Sequence, residues 1–285
     1  METATILLTC PDKKGIVAGV TDFLYKNNGN ILHADQHIDS VNNHQTLFMR
    51  VEFDLADFAI EKECLKAQFD EIGRKFSMHY SIKFSSEIQN IAIFAGKEEH
   101  CLFDILLKQK AKELRCNIPL IISNHPDMEN IAKFFNCKYY VMEKTPENKI
   151  SQEMKETELL EKFKIDTVVL AKYMQILSPN FIENYQNRII NVHHSFLPAF
   201  KGAKPYLQAY TRGIKLIGAT AHYVTEELDN GPIIEQEVVR VSHRDTLPDF
   251  IEKGKDVEKL VLARALKAHL ENKILVYGNK TVVFD

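Results

Sequence analysis

Five apolar runs limit what this chain can fold into. "NIAIFAG", "NIPLIISN", "CKYYVME", "DTVVLAKY" and "IINVHHS" follow one another between residues 90 and 195. Stretches long enough for helices separate them. A strand that is apolar along its whole length is buried on both faces, and such strands alternating with helices make a parallel sheet covered on both sides. The order predicts an α/β domain with a Rossmann-like sheet. "LIGATAHYV" and "PIIEQEVVRV" read as antiparallel additions to it. Val257, Val261, Leu262, Ala265, Leu266 and Leu270 recur at helical spacing as a final helix. "KILVYG" and "TVVFD" close the chain.

The first part of the chain has another rhythm. "ATILLTC" reads as a strand, and "PDKKG" breaks it. Ile16, Val17, Val20, Phe23 and Leu24 then mark a helix that stops at "NNGN". "ILHADQHID" and "QTLFMRVEF" are two strands joined at "SVNNH". In the second, Met49, Val51 and Phe53 alternate with Arg50 and Glu52. Phe58, Leu65, Phe69, Ile72 and Phe76 mark a second helix, and "MHYSIKF" a last strand. The order β-α-β-β-α-β is the ferredoxin-like unit. The expected domains are 1–84 and 90–285, with 85–89 as linker.

Composition narrows the partners. A formal net charge of −3 over 285 residues gives no electrostatic reason to expect nucleic acid or a membrane surface. The apolar fraction of 45% suits a globular chain with a full core. Cys10, Cys64, Cys101, Cys116 and Cys137 are odd in number and show no C-x-x-C spacing. They argue against a disulfide framework or a metal cluster, and a cytoplasmic setting is expected. "METATILLTCPDKKG" has no basic lead and too short an apolar run for a signal peptide. No stretch reaches the roughly 18 apolar residues of a membrane span.

The chemistry is concentrated in "NVHHSFLPAF", where a buried run ends in a loop. In open parallel sheets, ligands bind outside the carboxyl ends of the strands. Residues two apart on a strand share a side, so Asn191 and His193 point together and His194 points away. Downstream, "GATAHYVTEELDNGPI" sets His222 in an apolar strand and Asp229 in "LDNG", a tight-turn context. Glu226 and Glu227 read equally well as a solvated loop face. If Asn191, His193 and Asp229 converge, they form a set for opening an acyl carbonyl. The amide and an imidazolium donate to a developing oxyanion, and one such donor is worth roughly 10²–10³ in rate. The carboxylate favours the charged imidazole and relays a proton, which adds about 10²–10⁴. Such a set calls on no metal, no cofactor and no covalent nucleophile.

"NVHHSFLPAFKGAKPYLQAY" and "GATAHYVTEELDNGPIIEQEV" resemble the folate-dependent formyltransferases. The resemblance implies that Asn191, His193 and Asp229 are catalytic, that His222 is their neighbour, and that Thr220 is a polar contact. "AKYMQILSPNF" resembles that family's folate-binding strand and loop. It implies a pterin pocket lined by Met174, Gln175, Ile176, Leu177 and Phe181 and completed by Ile189, Val224, Thr225, Glu226 and Glu227. Gln175 stands where ribonucleotide transferases usually carry an arginine, so no charged contact is expected there.

The first domain resembles an ACT domain. "TCPDKKGIVAGV" and "NNGNILHADQHID", together with "HHS" and "AKYM", resemble the formyltetrahydrofolate deformylases over essentially the full length. That implies hydrolysis of 10-formyltetrahydrofolate to formate and tetrahydrofolate, supplying formate for purine synthesis and balancing the one-carbon folate pool. The ACT resemblance implies an amino-acid effector, methionine or glycine, held by Asp12, Gly15, Gly29 and Asn30 between paired copies. A homo-oligomer, dimer or tetramer, is expected with it. Two other classes stay open: a formyltransferase to an amine such as glycinamide ribonucleotide or an amino-sugar nucleotide, and a regulatory binding protein without turnover. Against the first, "IFAGKEEHC" stands where the transferases hold a phosphate, and Glu98 and Glu99 are expected to repel one.

Overall fold

The computed structural model describes residues 2–41, 44–198 and 205–285. Asn42 and Asn43 of the expected "SVNNH" turn lie outside the described residues. So do residues 199–204 of the long motif after His194. The contacts divide the chain into two units. One runs to Ile88 and includes Glu271–Tyr277 and Val282–Asp285; the other is Gln89–Leu270 with Gly278–Thr281.

The first unit has the expected order: β1 (Thr3–Pro11), α1 (Ile16–Lys26), β2 (Asn30–Val41), β3 (His44–Asp54), α2 (Lys62–Phe76) and β4 (His79–Phe84). The sheet order is β2-β3-β1-β4, and every pair is antiparallel. Ala4, Ile6, Leu8 and Cys10 of β1 meet Ile16, Val20 and Leu24 of α1 and Leu65, Phe69 and Phe76 of α2 in one core. On the other face of the sheet, Leu7 and Phe48 pack with Leu275, Tyr277, Val282 and Phe284. This corrects the expected boundary. The tail residues assigned to 90–285 instead bury their apolar side chains in the first unit. It also explains why β1 is apolar at consecutive positions, since both of its faces are covered.

The second unit is built on a seven-stranded sheet among the described residues, in the order β11-β10-β9-β8-β5-β6-β7. Its strands are β5 (Gln89–Ala95), β6 (Cys116–Ser123), β7 (Lys138–Val141), β8 (Thr167–Ala171), β9 (Ile189–His193), β10 (Leu216–Tyr223) and β11 (Ile233–Arg240). Strands β5 to β9 pair in parallel, while β10 and β11 are antiparallel, as expected. Its helices are α3 (His100–Lys110), α4 (Glu129–Phe134), α5 (Lys149–Lys162), α6 (Pro179–Asn184), α7 (Pro205–Thr211) and α8 (Leu247–Leu270). Strand order reverses across β5, which opens a crevice at the carboxyl ends of β5, β8 and β9.

Truncating Phe284 tests the grouping of the tail. Phe284→Ala is expected to destabilise the first unit by about 3 kcal/mol, the lower end for a buried phenylalanine. Hydrogen exchange at the β1 and β3 amides should quicken by about 10²-fold, with β5 to β9 unchanged. Quickening confined to β5–β9 would contradict the grouping.

Candidate active site

The antiparallel return of β10 beside β9 makes the centre. The register sets His222 opposite Asn191 and Thr220 opposite His193. Asn191 and His193 share a side of β9, as the spacing requires. Asn191 Nδ2 donates to His222 Nε2 at 3.3 Å, and His222 Nδ1 donates to the Tyr223 carbonyl at 2.9 Å. The second bond fixes the His222 tautomer, leaving Nε2 as the acceptor. A β-bulge between Ala221 and His222 interrupts the pairing with β11 at this point. Thr220 is on the His193 side of the sheet but is fully buried and does not line the cleft, which corrects its expected role as a polar contact. Its buried hydroxyl donates to the Ser195 carbonyl and accepts from the Leu197 N–H and from Gln236 Nε2. It ties down the segment leaving β9.

Asp229 arrives from the loop after β10. Its backbone is left-handed, at φ 53°, within the turn that "LDNG" predicts. The Asn230 N–H donates to the Glu227 carbonyl, and Asn230 Nδ2 to Glu227 Oε2 at 2.9 Å. Gly231 is required by close approach, because a Cβ there would lie 1.7 Å from the Tyr223 carbonyl oxygen. The loop brings Asp229 Oδ2 to 3.2 Å from His193 Nδ1, and Oδ1 to 3.8 Å from His222 Nε2. His193, which hydrogen-bonds it, and then the nearby His222 hold the Asp229 carboxyl well below the usual carboxylate range, against the effect of burial. His193 Nε2 is buried and has no hydrogen-bond partner among the described residues. A buried orphan of this kind costs stability unless something else completes it.

These groups open onto a cleft of about 850 Å³. Met174, Gln175, Ile176, Leu177, Val224, Thr225, Glu226 and Glu227 line it, as expected. Phe181 and Ile189 do not, which corrects two assignments: both are buried beneath it in the core that carries Leu177 and Tyr185. Leu170, Ile182, Val192 and the exposed Leu228 add to the apolar side. Buried charges pin both ends of the pocket loop after β8. The Tyr173 hydroxyl donates to Glu156 Oε1 at 3.3 Å, and the Ser178 N–H donates to Glu153 Oε1 at 3.1 Å. Lys144 lies 2.9 Å from Glu156 and 3.7 Å from Glu153. Burial pushes the Glu156 carboxyl up, against the Lys144 charge.

A polar part of the cleft lining was not expected. Glu98, Lys172, His194, Tyr206, Lys255 and Glu258 form it, with Leu207, Leu247 and Ile251 lining the cleft from the same helices as Tyr206, Lys255 and Glu258. His194 is therefore not turned away, because the strand ends at His193 and parity stops with it. Burial, then the nearby Lys172 and His193, lower the His194 pKa from 6.5 to about 4. Two signals pointed to this side. Lys172 follows an unbroken apolar run, and Glu258 falls on the apolar stripe of α8 among Val257, Val261 and Leu262. His100, Cys101 and Glu258 are close enough to hold a metal ion, their ligand atoms lying within 4.8 Å of one another. Glu258 is already bonded to His100 and Lys172, and burial pushes the Cys101 thiol well up, away from the thiolate a metal needs.

The four effector residues lie in the first unit. Asp12 and Gly15 are at the start of α1, with Asp12 N–H donating to the Gln45 carbonyl. Gly29 and Asn30 follow its other end. An 11-residue helix spans about 16 Å, so one copy does not bring the four together.

The family model described as "Formyl transferase" matches residues 89–266, and "ACT domain" matches 4–69. A formyltetrahydrofolate deformylase of Synechocystis sp. is 52% identical over 283 residues, covering 99% of this chain and 98% of its own length. The crystal structure of a formyltetrahydrofolate deformylase from Pseudomonas syringae pv. tomato superposes with a TM-score of 0.96 at 46% identity, covering 100% of this chain and 95% of that one. A glycinamide ribonucleotide transformylase from Symbiobacterium toebii superposes with a TM-score of 0.66 at 26% identity, covering 71% of this chain and 97% of that one.

The state of His194 gives a pH expectation. An unfolded chain takes up its proton near pH 6.5, but the folded chain does so only near 4. The depressed group therefore adds stability that is complete above pH 6.5 and is lost as pH falls towards 4. His194→Gln is expected to flatten the acid decline of the second unit between those values by up to about 3 kcal/mol. Urea unfolding at pH 7 and pH 4.5 measures this, and an unchanged decline would contradict a neutral His194.

Proposed function

This chain belongs to the formyltetrahydrofolate deformylase family, and from that premise we propose that Asn191, His193 and Asp229 carry the hydrolysis of 10-formyltetrahydrofolate to formate and tetrahydrofolate. One observation supports the assignment above the others: among the described residues His193 Nε2 is buried and has no partner at the mouth of an apolar cleft, while Nδ1 is held by Asp229.

The folate ring lies in the apolar side of the cleft, among Met174, Ile176, Leu177 and Val224. The formyl oxygen takes the two donors left open to it, Asn191 Nδ2 and a protonated His193 Nε2. Water attacks the formyl carbon, and negative charge collects on that oxygen. The Asp229 carboxylate keeps the proton on His193 Nδ1 and orients the water. Its carboxyl is held so low that it is a weak base before the attack. It accepts the water's proton as the His193 charge is drawn to the oxyanion. That proton then passes to the folate nitrogen as the C–N bond breaks, leaving formate. The three side chains supply the polarisation, so the reaction draws on no metal or nicotinamide.

The reading of Glu98 and Glu99 as a repelling pair needs amending. Glu98 lines the cleft, but its charge is met by Lys255 at 3.1 Å, and Glu99 is exposed and does not line it. The case for water over an amine therefore rests on the whole polar side of the cleft.

For the first unit we infer a small amino-acid effector, with methionine and glycine as candidates. The ACT match supports it. A site using Asp12, Gly15, Gly29 and Asn30 needs two copies, because α1 separates the pairs. That is the argument for a homo-oligomer. The five free cysteines support a reducing, cytoplasmic setting. Among the described residues, no helix is long and apolar enough to cross a membrane.

Incubation with 10-formyltetrahydrofolate alone, in chelator, is expected to release formate and tetrahydrofolate in equal amounts. Added glycinamide ribonucleotide should give no formylated product. Turnover that waits for an amine would overturn the hydrolase reading. Asp229→Asn is expected to lower kcat by about 10²–10⁴ while folate still binds. Asn191→Ala and His193→Ala should each cost about 10² or more. Steady-state kinetics with a folate-binding titration on each variant separates the two effects.

A further inference from the structure

The mechanism leaves the buried carboxylate of Glu258 unused. It sits on α8 with no exposed surface. His100 Nε2 donates to its Oε2 at 2.7 Å, and Lys172 Nζ lies 3.2 Å from both oxygens. The Tyr206 hydroxyl donates to Oε1. Burial opposes its charge, but these partners outweigh it and hold the carboxyl at about 2. Glu258 is therefore ionised at every working pH.

Two backbone features serve this cluster. Lys172 is itself buried and takes a left-handed backbone at φ 58°, a strained conformation for a lysine. Gly254 lies one turn before Glu258 on α8, where a Cβ would come within 2.2 Å of the Tyr206 ring. A glycine inside a helix is unfavourable, and here its missing side chain is what lets Tyr206 reach Glu258.

An ammonium, an imidazole and a hydroxyl converging on one carboxylate are what a protein assembles to bind an anion. Lys172, Tyr206 and Glu258 of this cluster line the same cleft as His193, and His100 holds Glu258 from behind it. With folate against the apolar lining residues, these polar ones are left to meet an incoming nucleophile. We infer that Glu258 is a resident anion: it fills a cationic subsite on the acceptor side, bars phosphate- or carboxylate-bearing amines, and leaves water as the nucleophile. The inference rests on the hydrolytic reading above. Without Glu258, Lys172, His100 and Tyr206 would present an empty anion site beside the reacting carbon. With it their donors are occupied and the charge of Lys172 is cancelled. The rim repeats the arrangement, where Lys255 meets Glu98. Among the described residues that line the cleft, both lysines are then paired, so an anionic amine finds no free lysine there to hold it against the formyl carbon, and dissolved water is not so limited.

The test is calorimetric titration of the full-length enzyme with inorganic phosphate and with acetate. Glu258→Ala is expected to bind both at least tenfold more tightly than the unmodified enzyme. Lys172→Met added to that variant should abolish the gain. Where the alanine variant fails to fold, Glu258→Gln keeps the volume and removes the charge, and about a threefold gain is expected. A folded Glu258 variant whose anion affinity equals that of the unmodified enzyme would overturn the proposal. So would a gain that persists without Lys172. Formate release by the unmodified enzyme tests the hydrolytic reading by itself, so the failure of one is not the failure of the other.

Discussion

The contact between His193 Nδ1 and Asp229 Oδ2, 3.2 Å long, is the one on which the rest of the site depends. It joins the end of a parallel strand to a loop 36 positions further along the chain, and a one-residue slip in either would break it. Several local features hold it. The bulge at Ala221/His222 shifts the β10–β11 register by one residue just before the loop, and the pairing resumes with His222 opposite Ile233. The left-handed backbone at Asp229 aims the carboxylate, and Gly231 lets the loop close on the Tyr223 carbonyl. The result is a histidine with one nitrogen committed and the other buried without a partner among the described residues. Such an arrangement costs stability in the free protein and is recovered when a substrate oxygen completes it.

The cleft around this contact is divided by chemistry. One side is apolar and is fixed by a buried network of Lys144, Glu153 and Glu156 that pins the ends of the 173–178 loop. The other side is polar but internally satisfied, with Lys172, His100 and Tyr206 gathered on Glu258. The first side can desolvate a flat aromatic ring. The second holds charges of both signs and keeps them paired. On the proposed reading, a formyl group at the boundary meets the Asn191 amide and His193 Nε2. Buried ion pairs are seldom favourable by themselves, because desolvation offsets their attraction. Their presence on both sides of one cleft points to positioning more than to stability.

Much of this was legible in the sequence, for definite reasons. Continuous apolar runs specified the parallel sheet, and the period of two on β9 placed Asn191 with His193. The turn residues of "LDNG" announced a loop that could bend back. What was not legible depended on registers that local pattern does not carry. Thr220 shares the His193 side of the sheet through its pairing, but its hydroxyl is taken up by the Ser195 carbonyl and the Leu197 N–H of the segment leaving β9. Phe181 and Ile189 are apolar and near the pocket loop, and nothing local says that they lie under it rather than in it. The polar side stayed hidden because Glu258, Lys172 and His100 meet only through the packing of α8 and α3. Each reads alone as an ordinary charged residue. The tail was misassigned because apolar strands carry no label for the unit they cover.

The most direct test of the central claim is a crystal structure with a 10-formyl folate analogue that cannot be hydrolysed. The formyl oxygen is expected to lie about 2.7–3.1 Å from both Asn191 Nδ2 and His193 Nε2. The His193–Asp229 contact should be intact, and the ring should lie on the side of Met174 and Leu177. A formyl oxygen that leaves His193 Nε2 without a partner, or that is bound instead at Lys172, would contradict it.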